Sequence, residues 1–295
     1  MCITAAAITC WVKFCDVGAD WAAVSVAPLL HGAPLAHLRW GDGRRAVVLL
    51  HGVGGGCEAW GDSLSGTGSA LAEAGYGAFA LDLPGYGRSP LIQPYSMAGM
   101  AAAVIATIDA LGLAPCALVG HSMGGMVAQE VMAIAPDRVG ALVLSGTSAA
   151  FGKPGGAWQA EFLGQRLAPL DAGVGMAALA PGLALGMASP LAPHDAVARA
   201  AILMSGVPEV TYRLALQAIV GFDRRKLLGE LRLPVLCLAG EHDRNAPAAV
   251  MQQMAARIAG AEYQCLAGVG HLANMEAPAP FNRALLAFLQ RRFVV

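Results

Sequence analysis

From residue 46 onward, short apolar runs alternate with longer alanine-rich stretches of helical periodicity. No other feature of the chain restricts its fold so tightly. Two strands joined through a helix lie parallel, connected by a right-handed crossover. A sheet built this way is covered on both faces, so its strands read as continuous apolar runs. The runs Ala46–His51, Tyr76–Asp82, Ala117–Gly120, Ala141–Ser145, Val235–Gly240 and Tyr263–Ala267 fit that description. Two earlier runs, Ala22–Pro28 and Leu35–Trp40, are joined by the turn signal "HGAP" and read as an antiparallel start. Helical patterns fall at Ser63–Ala74, Ser96–Leu111, Met123–Ala135, Pro247–Ile258 and Pro278–Arg291. The expected class is α/β, with a mostly parallel sheet of eight strands flanked by helices.

One interval breaks the rhythm. Between Thr147 and Arg232 no strand is evident, only helical patterns such as "WQAEFLGQRLAPL", "HDAVARAAILMSGV" and "TYRLALQAIVGF". So long a helical insertion cannot be an ordinary crossover. It reads as a helical cap over residues 147–232, laid on a core formed by residues 21–146 and 233–295. Residues 1–20 read as a loosely ordered leader.

The chain is 56% hydrophobic and only 13% charged, which raises the question of a membrane span. The longest uncharged stretch, Ala172 to Pro193, contains Pro181, Pro190, Pro193 and four glycines, a poor spanning helix. A net charge of −1 gives no electrostatic footprint for nucleic acid. The N-terminal "MCITAAAITCWVKFC" lacks the positively charged region of a secretory signal. Seven cysteines, an odd number with no C-x-x-C pair, suggest neither a disulfide framework nor a metal site. Cys116, Cys237 and Cys265 sit in or beside apolar runs, as small hydrophobes. A cytoplasmic protein without metal or organic cofactor is expected, and self-association is left open.

Two glycine-rich segments carry the chemistry. In "LLHGVGGGCEAW" a dinucleotide fingerprint starting at Gly52 would need glycine where Cys57 stands, and no G-x-x-x-x-G-K-[ST] occurs. In "LVGHSMGGMVAQ" the run Gly120-His121-Ser122-Met123-Gly124 falls between a strand and a helix. A sharp turn there holds the serine in strained geometry that only small residues two positions away tolerate. On those five residues alone, a serine capping a helix is the plainer alternative. A nucleophilic serine needs a base, and the base an orienting acid. His271 follows the last strand and Asp243 the one before it, beyond the strand ends where such a sheet builds its site. The order serine, acid, histidine is that of a strand-turn-helix nucleophile. His121 is expected to point away from the cleft, and nothing reserves a base role for His242. Asp137 reads as a helix-end turn residue, while Glu241 and Asp82 remain alternative acids. The "GDSL" at Gly61–Leu64 is read as a helix start capped by Asp62 or Ser63.

Taken in order, "HGVGGG", "LDLPGYGRS", "VGHSMGGM", "GEHDRNAP" and "GVGHLANMEAP" resemble the α/β-hydrolase superfamily from about residue 30 onward. The resemblance implies a nucleophile at Ser122, an acid at Asp243 and a base at His271. It further implies an oxyanion hole from the backbone N–H groups of Val53 and Met123. In subfamily the chain looks like bacterial esterases and enol-lactonases of aromatic catabolism, and like carbon–carbon hydrolases of meta-cleavage products. The last usually carry Asn before the nucleophile, where this chain has His121. The expected activity is cleavage of a carboxylic ester or lactone in a small, largely apolar molecule with an activated carbonyl. Alternatives are a meta-cleavage-type diketone hydrolase, or a thioesterase or amidase on the same three residues. A non-catalytic binder would lack one of the three, and none is missing. Trp60 beside the glycine loop, and Trp158, Phe162, Met187 and Tyr212 from the cap, are the expected substrate-binding residues, with Phe151, Met176 and Met204 as further apolar candidates.

Overall fold

The computed structural model describes residues 34–61, 66–152 and 155–294. Seven strands among them form one sheet: β1 (His37–Trp40), β2 (Arg45–Leu50), β3 (Tyr76–Leu81), β4 (Cys116–His121), β5 (Val139–Ser145), β6 (Val235–Gly240) and β7 (Glu262–Leu266). Their spatial order is β1-β3-β2-β4-β5-β6-β7. Every neighbouring pair is parallel except β1 with β3. The expected strand Ala22–Pro28, which would make eight, lies outside the described residues, as do the leader and the proposed capping residues Asp62 and Ser63.

Alternation of side chains along each strand divides the core in two. Val48, Leu50, Leu118, Leu142 and Leu144 enter one buried cluster. It is shared with α2 (Met97–Ala110), α3 (Met123–Ile134) and α8 (Ala248–Ala256). Val47, Leu49, Val119, Val143 and Leu238 enter the other, against α1 (Thr67–Glu73) and α10 (Pro278–Arg292). Both faces being covered is why the central strands carry no polar alternation. Strand β7 is at the sheet edge, and there Cys265 is exposed, whereas Cys116 and Cys237 are buried. The thiol expected to behave as a small core hydrophobe meets solvent because an edge strand is covered on one side only.

Four helices fill the chain between β5 and β6: α4 (Ala157–Asp171), α5 (Met176–Met187), α6 (His194–Ser205) and α7 (Glu209–Val220). The proline-containing stretch 172–193 forms α5, with Pro181 inside it. No helix among the described residues is long and apolar enough to cross a membrane. The segment is tied to the rest of the chain by specific bonds: Thr211 Oγ1 donates to Gly85 O in the loop after β3 (2.9 Å), and Arg224 pairs with the buried Glu130 of α3 (2.7 Å). The strand order reverses between β2 and β4, so a crevice opens beyond the carboxyl ends of these two strands. The first glycine loop follows β2 and the serine follows β4.

Candidate active site

Ser122 stands at the tip of the turn from β4 into α3, with φ 54° and ψ −119°, and is the sole non-glycine residue at positive φ among the described residues. The geometry is forced by packing. A Cβ on Gly124 would lie 2.3 Å from Leu50 O, and one on Gly120 would lie 2.4 Å from Gly124 O. Only glycine lets strand and helix approach this closely, which answers why the motif brackets its serine with two of them. Backbone bonds hold the strained residue in place: Ser122 N donates to Ser145 O (2.9 Å), and Thr147 Oγ1 donates to Ser122 O (2.7 Å). The helix-cap alternative is set aside, because the Ser122 side chain makes no capping bond.

The three sequence-expected residues meet. Ser122 Oγ lies 2.9 Å from His271 Nε2, and His271 Nδ1 lies 2.8 Å from Asp243 Oδ2. A carboxylate only accepts, so Nδ1 carries the imidazole proton and Nε2 is left to accept from the serine hydroxyl. The other Asp243 oxygen, Oδ1, accepts from the N–H groups of Asn245 and Ala246, each at 2.8 Å. Burial opposes charge on Asp243, but the facing His271, its hydrogen bond and the two backbone donors outweigh it. The carboxyl is held below its ordinary value.

The competing acids have other work. Asp82 accepts from Cys57 N (2.8 Å) and Arg88 N (3.2 Å), bracing the glycine loop. Glu241 is exposed and caps Gly268 N. Asp137 lies in a short 3-10 turn after α3. His121 departs from its expected direction. It is buried with its ring centroid 4.9 Å from that of His271, and it lines the cleft instead of turning from it. Burial, then repulsion from His271, depress its pKa to about 3, so it is neutral at neutral pH.

Several supporting residues fall inside the segments "HGVGGG", "LDLPGYGRS" and "GVGHLANMEAP" but have no role assigned from sequence. His51 Nε2 accepts from Leu83 N (3.1 Å), so its Nδ1 donates to Gly52 O (2.8 Å). Tyr86 packs edge-on to that ring, and its hydroxyl donates to Val53 O (3.0 Å). Together they fix the loop carrying the Val53 N–H, which has no acceptor among the described residues. Met123 N belongs to the first turn of α3, where backbone donors lack helical partners. Gly146, at φ +51°, passes so near the site that an added Cβ would lie 3.2 Å from Asp243 Oδ2 and 3.3 Å from His271 Nδ1. Glu276 is buried in α9 (Ala273–Glu276) and accepts from Ser189 N (3.0 Å), Gly270 N (2.9 Å) and Leu272 N (2.9 Å). In the sequence its one trace is an acid five positions after His271.

Two chambers meet at Ser122. The inner one, about 30 Å³, is lined by Trp60, Met187, Met204 and Asn274. The outer one, about 240 Å³, is lined by Phe151, Trp158, Phe162 and, again, Met187. Val53 borders both. Tyr212 and Met176 line neither. Tyr212 is 1% exposed, inside the cluster formed by the buried face of α7. An aromatic in a helical insertion can serve its own core, and here packing claims it. Among the described residues no group of side chains is arranged to hold a metal ion.

A doubly wound sheet with a strained serine after a central strand, and with acid and histidine beyond the last two, defines a class of hydrolytic enzymes. This chain belongs to the α/β-hydrolase fold family, whose model matches residues 45–278. It is a hydrolase. It is 35% identical over 254 residues to a protein of Variovorax paradoxus bearing the name carbamate hydrolase RutD, spanning 83% of this chain and 92% of that one. Among solved structures, a hydrolase from Pseudomonas aeruginosa superposes with a TM-score of 0.78 at 27% identity, covering 92% of this chain and 99% of its own. A thermophilic esterase from Thermogutta terrifontis gives a TM-score of 0.73 at 25% identity, covering 87% and 93%.

Proposed function

We propose that this hydrolase acts through Ser122 on a carboxylic ester or lactone of a small, largely apolar molecule. The observation that carries the reading is the hydrogen-bond chain from Ser122 Oγ through His271 to Asp243. Ser122 Oγ attacks the substrate carbonyl as its proton passes to His271 Nε2, while Asp243 fixes the tautomer and balances the imidazolium. The developing oxyanion is met by the N–H groups of Val53 and Met123, and losing one such donor costs about 3 kcal/mol. His271 then gives its proton to the leaving oxygen. In the second step it takes a proton from water as the water attacks the acyl-serine, then returns that proton to Ser122 Oγ as the C–O bond breaks and the acid leaves.

Residues 147–232 act in this reading as a cap that supplies the outer chamber's aromatic wall. The esterase likeness supports an ester. A carbamate presents a similar acyl electrophile, so the name of the Variovorax relative places carbamates beside esters in the assay. The carbon–carbon alternative has no observation of its own in its favour. The test is turnover of 4-nitrophenyl acetate by the native chain and by Ser122→Ala and His271→Ala. Each substitution is expected to lower kcat by about 10⁴-fold or more. Equal turnover in all three would sink the assignment.

A further inference from the structure

The outer chamber carries charge of one sign only. Its wall includes Arg166 from α4 and Arg244 from the loop after β6, and among the described residues it includes no Asp or Glu. Among the described residues neither guanidinium forms a salt bridge. The larger surface groove beside the end of α3 differs: Asp137, Asp223 and Glu230 line it beside its cations, and its Arg224 and Arg225 are held by Glu130 and Asp223. Arg166 has its Cζ 5.0 Å from the centre of the Phe162 ring, which itself packs against Phe151 and Trp158. A guanidinium laid on an aromatic face is weakly hydrated and restricted in direction, and its planar fork matches a carboxylate. The acid adjoining Arg244 in sequence is Asp243, whose oxygens are already engaged by His271, Asn245 and Ala246. Two cations therefore border a space shared with Ser122 and His271, with no anion among the described residues lining it.

We propose that the outer chamber is a carboxylate subsite. The natural substrate is then an anionic ester or lactone, whose carboxylate is held by Arg166 and Arg244 while its carbonyl meets Ser122. The nature of the bond broken rests on the serine-hydrolase reading above; the binding of the anion does not. A volume of about 240 Å³ leaves room for several carbons between the two groups. The aromatic wall covers these carbons, and the smaller inner chamber takes the remaining short group.

The experiment compares matched anionic and neutral substrates. On the acyl side these are methyl hydrogen adipate and methyl hexanoate; on the leaving side, 3-acetoxybenzoate and phenyl acetate. In at least one pair kcat/KM is expected to favour the anion by about tenfold, the effect of one charge-assisted contact. That ratio should shrink in Arg166→Gln and in Arg244→Gln, recover in part in the Lys variants, and fall with added salt. Both side chains are partly or wholly exposed, so the variants are expected to keep the native melting temperature. A preference for the neutral member in both pairs, or a ratio that neither Gln substitution alters, overturns the proposal. If no ester is turned over, calorimetry with methyl hydrogen adipate and the Ser122→Ala chain decides. Binding weakened by the Arg substitutions upholds the subsite and faults only the bond; absence of binding overturns the subsite.

Discussion

At the scale of single residues, His121 shows how position in sequence underdetermines role. Its place before Ser122 is fixed, yet its ring turns toward His271 because the elbow leaves it a buried slot there. That slot has a consequence for stability. The folded pKa is about 3 against 6.5 for an unperturbed imidazole, so the unfolded chain takes up a proton that the folded chain refuses. Stability is therefore complete above pH 6.5 and declines as pH falls toward about 3, by about 1.4 kcal/mol per pH unit for this group alone. Asp243 acts at lower pH: its depressed pKa contributes stability above the ordinary carboxylate range, which is lost as pH falls through the lowered value. In urea unfolding at pH 6.5 and pH 5, His121→Asn is expected to flatten the decline by about one proton. An unchanged slope would assign it to other groups. Asp243 and His271 were legible because each follows a strand end, while the direction of the His121 ring was not, since it depends on a space made by β5 and the loop after it.

The element that most constrains the site is the turn from β4 into α3. Its sequence pattern named the turn, and the contacts explain it: Gly124 rides directly over Leu50 O at the end of β2. Gly124→Ala must push the helix from the sheet or distort β2, and overpacking of this kind costs about 3 kcal/mol. Thermal unfolding is the measurement, and a midpoint equal to the native one would show that the helix can shift freely. The long elements were readable from periodicity because their apolar faces repeat over many residues. The β1 pairing was not: a lone short strand gives no sign of its neighbour, and β1 lies antiparallel to β3, which follows it much later in the chain.

In the molecule as a whole, the loop carrying His271 is bonded to the end of α5. His271 N donates to Met187 O at the end of α5 (2.9 Å), and Glu276 gathers Ser189 N, Gly270 N and Leu272 N onto one carboxylate. Any movement of α5 therefore reaches His271. Removing this acceptor strands buried donors, each worth about 1 to 3 kcal/mol. Glu276→Ala is expected to lower the urea midpoint by about 3 kcal/mol or more of stability, with Glu276→Gln milder because one oxygen remains. Coincident midpoints for the native chain and both variants would rule out the clamp.

The sequence by itself determined the parallel sheet, the place of the helical insertion, and the turn that carries Ser122. These depend on local period and on glycine, which act over a few residues and so can be read in order. Only the tertiary structure decided which aromatic residues line a chamber and which fill a core, as Phe162 and Tyr212 divide. It alone brought Arg166 and Arg244 to one chamber, and Glu276 to Ser189. Such contacts join residues far apart in the chain, and their partners are set by how layers pack, a choice that no local pattern records.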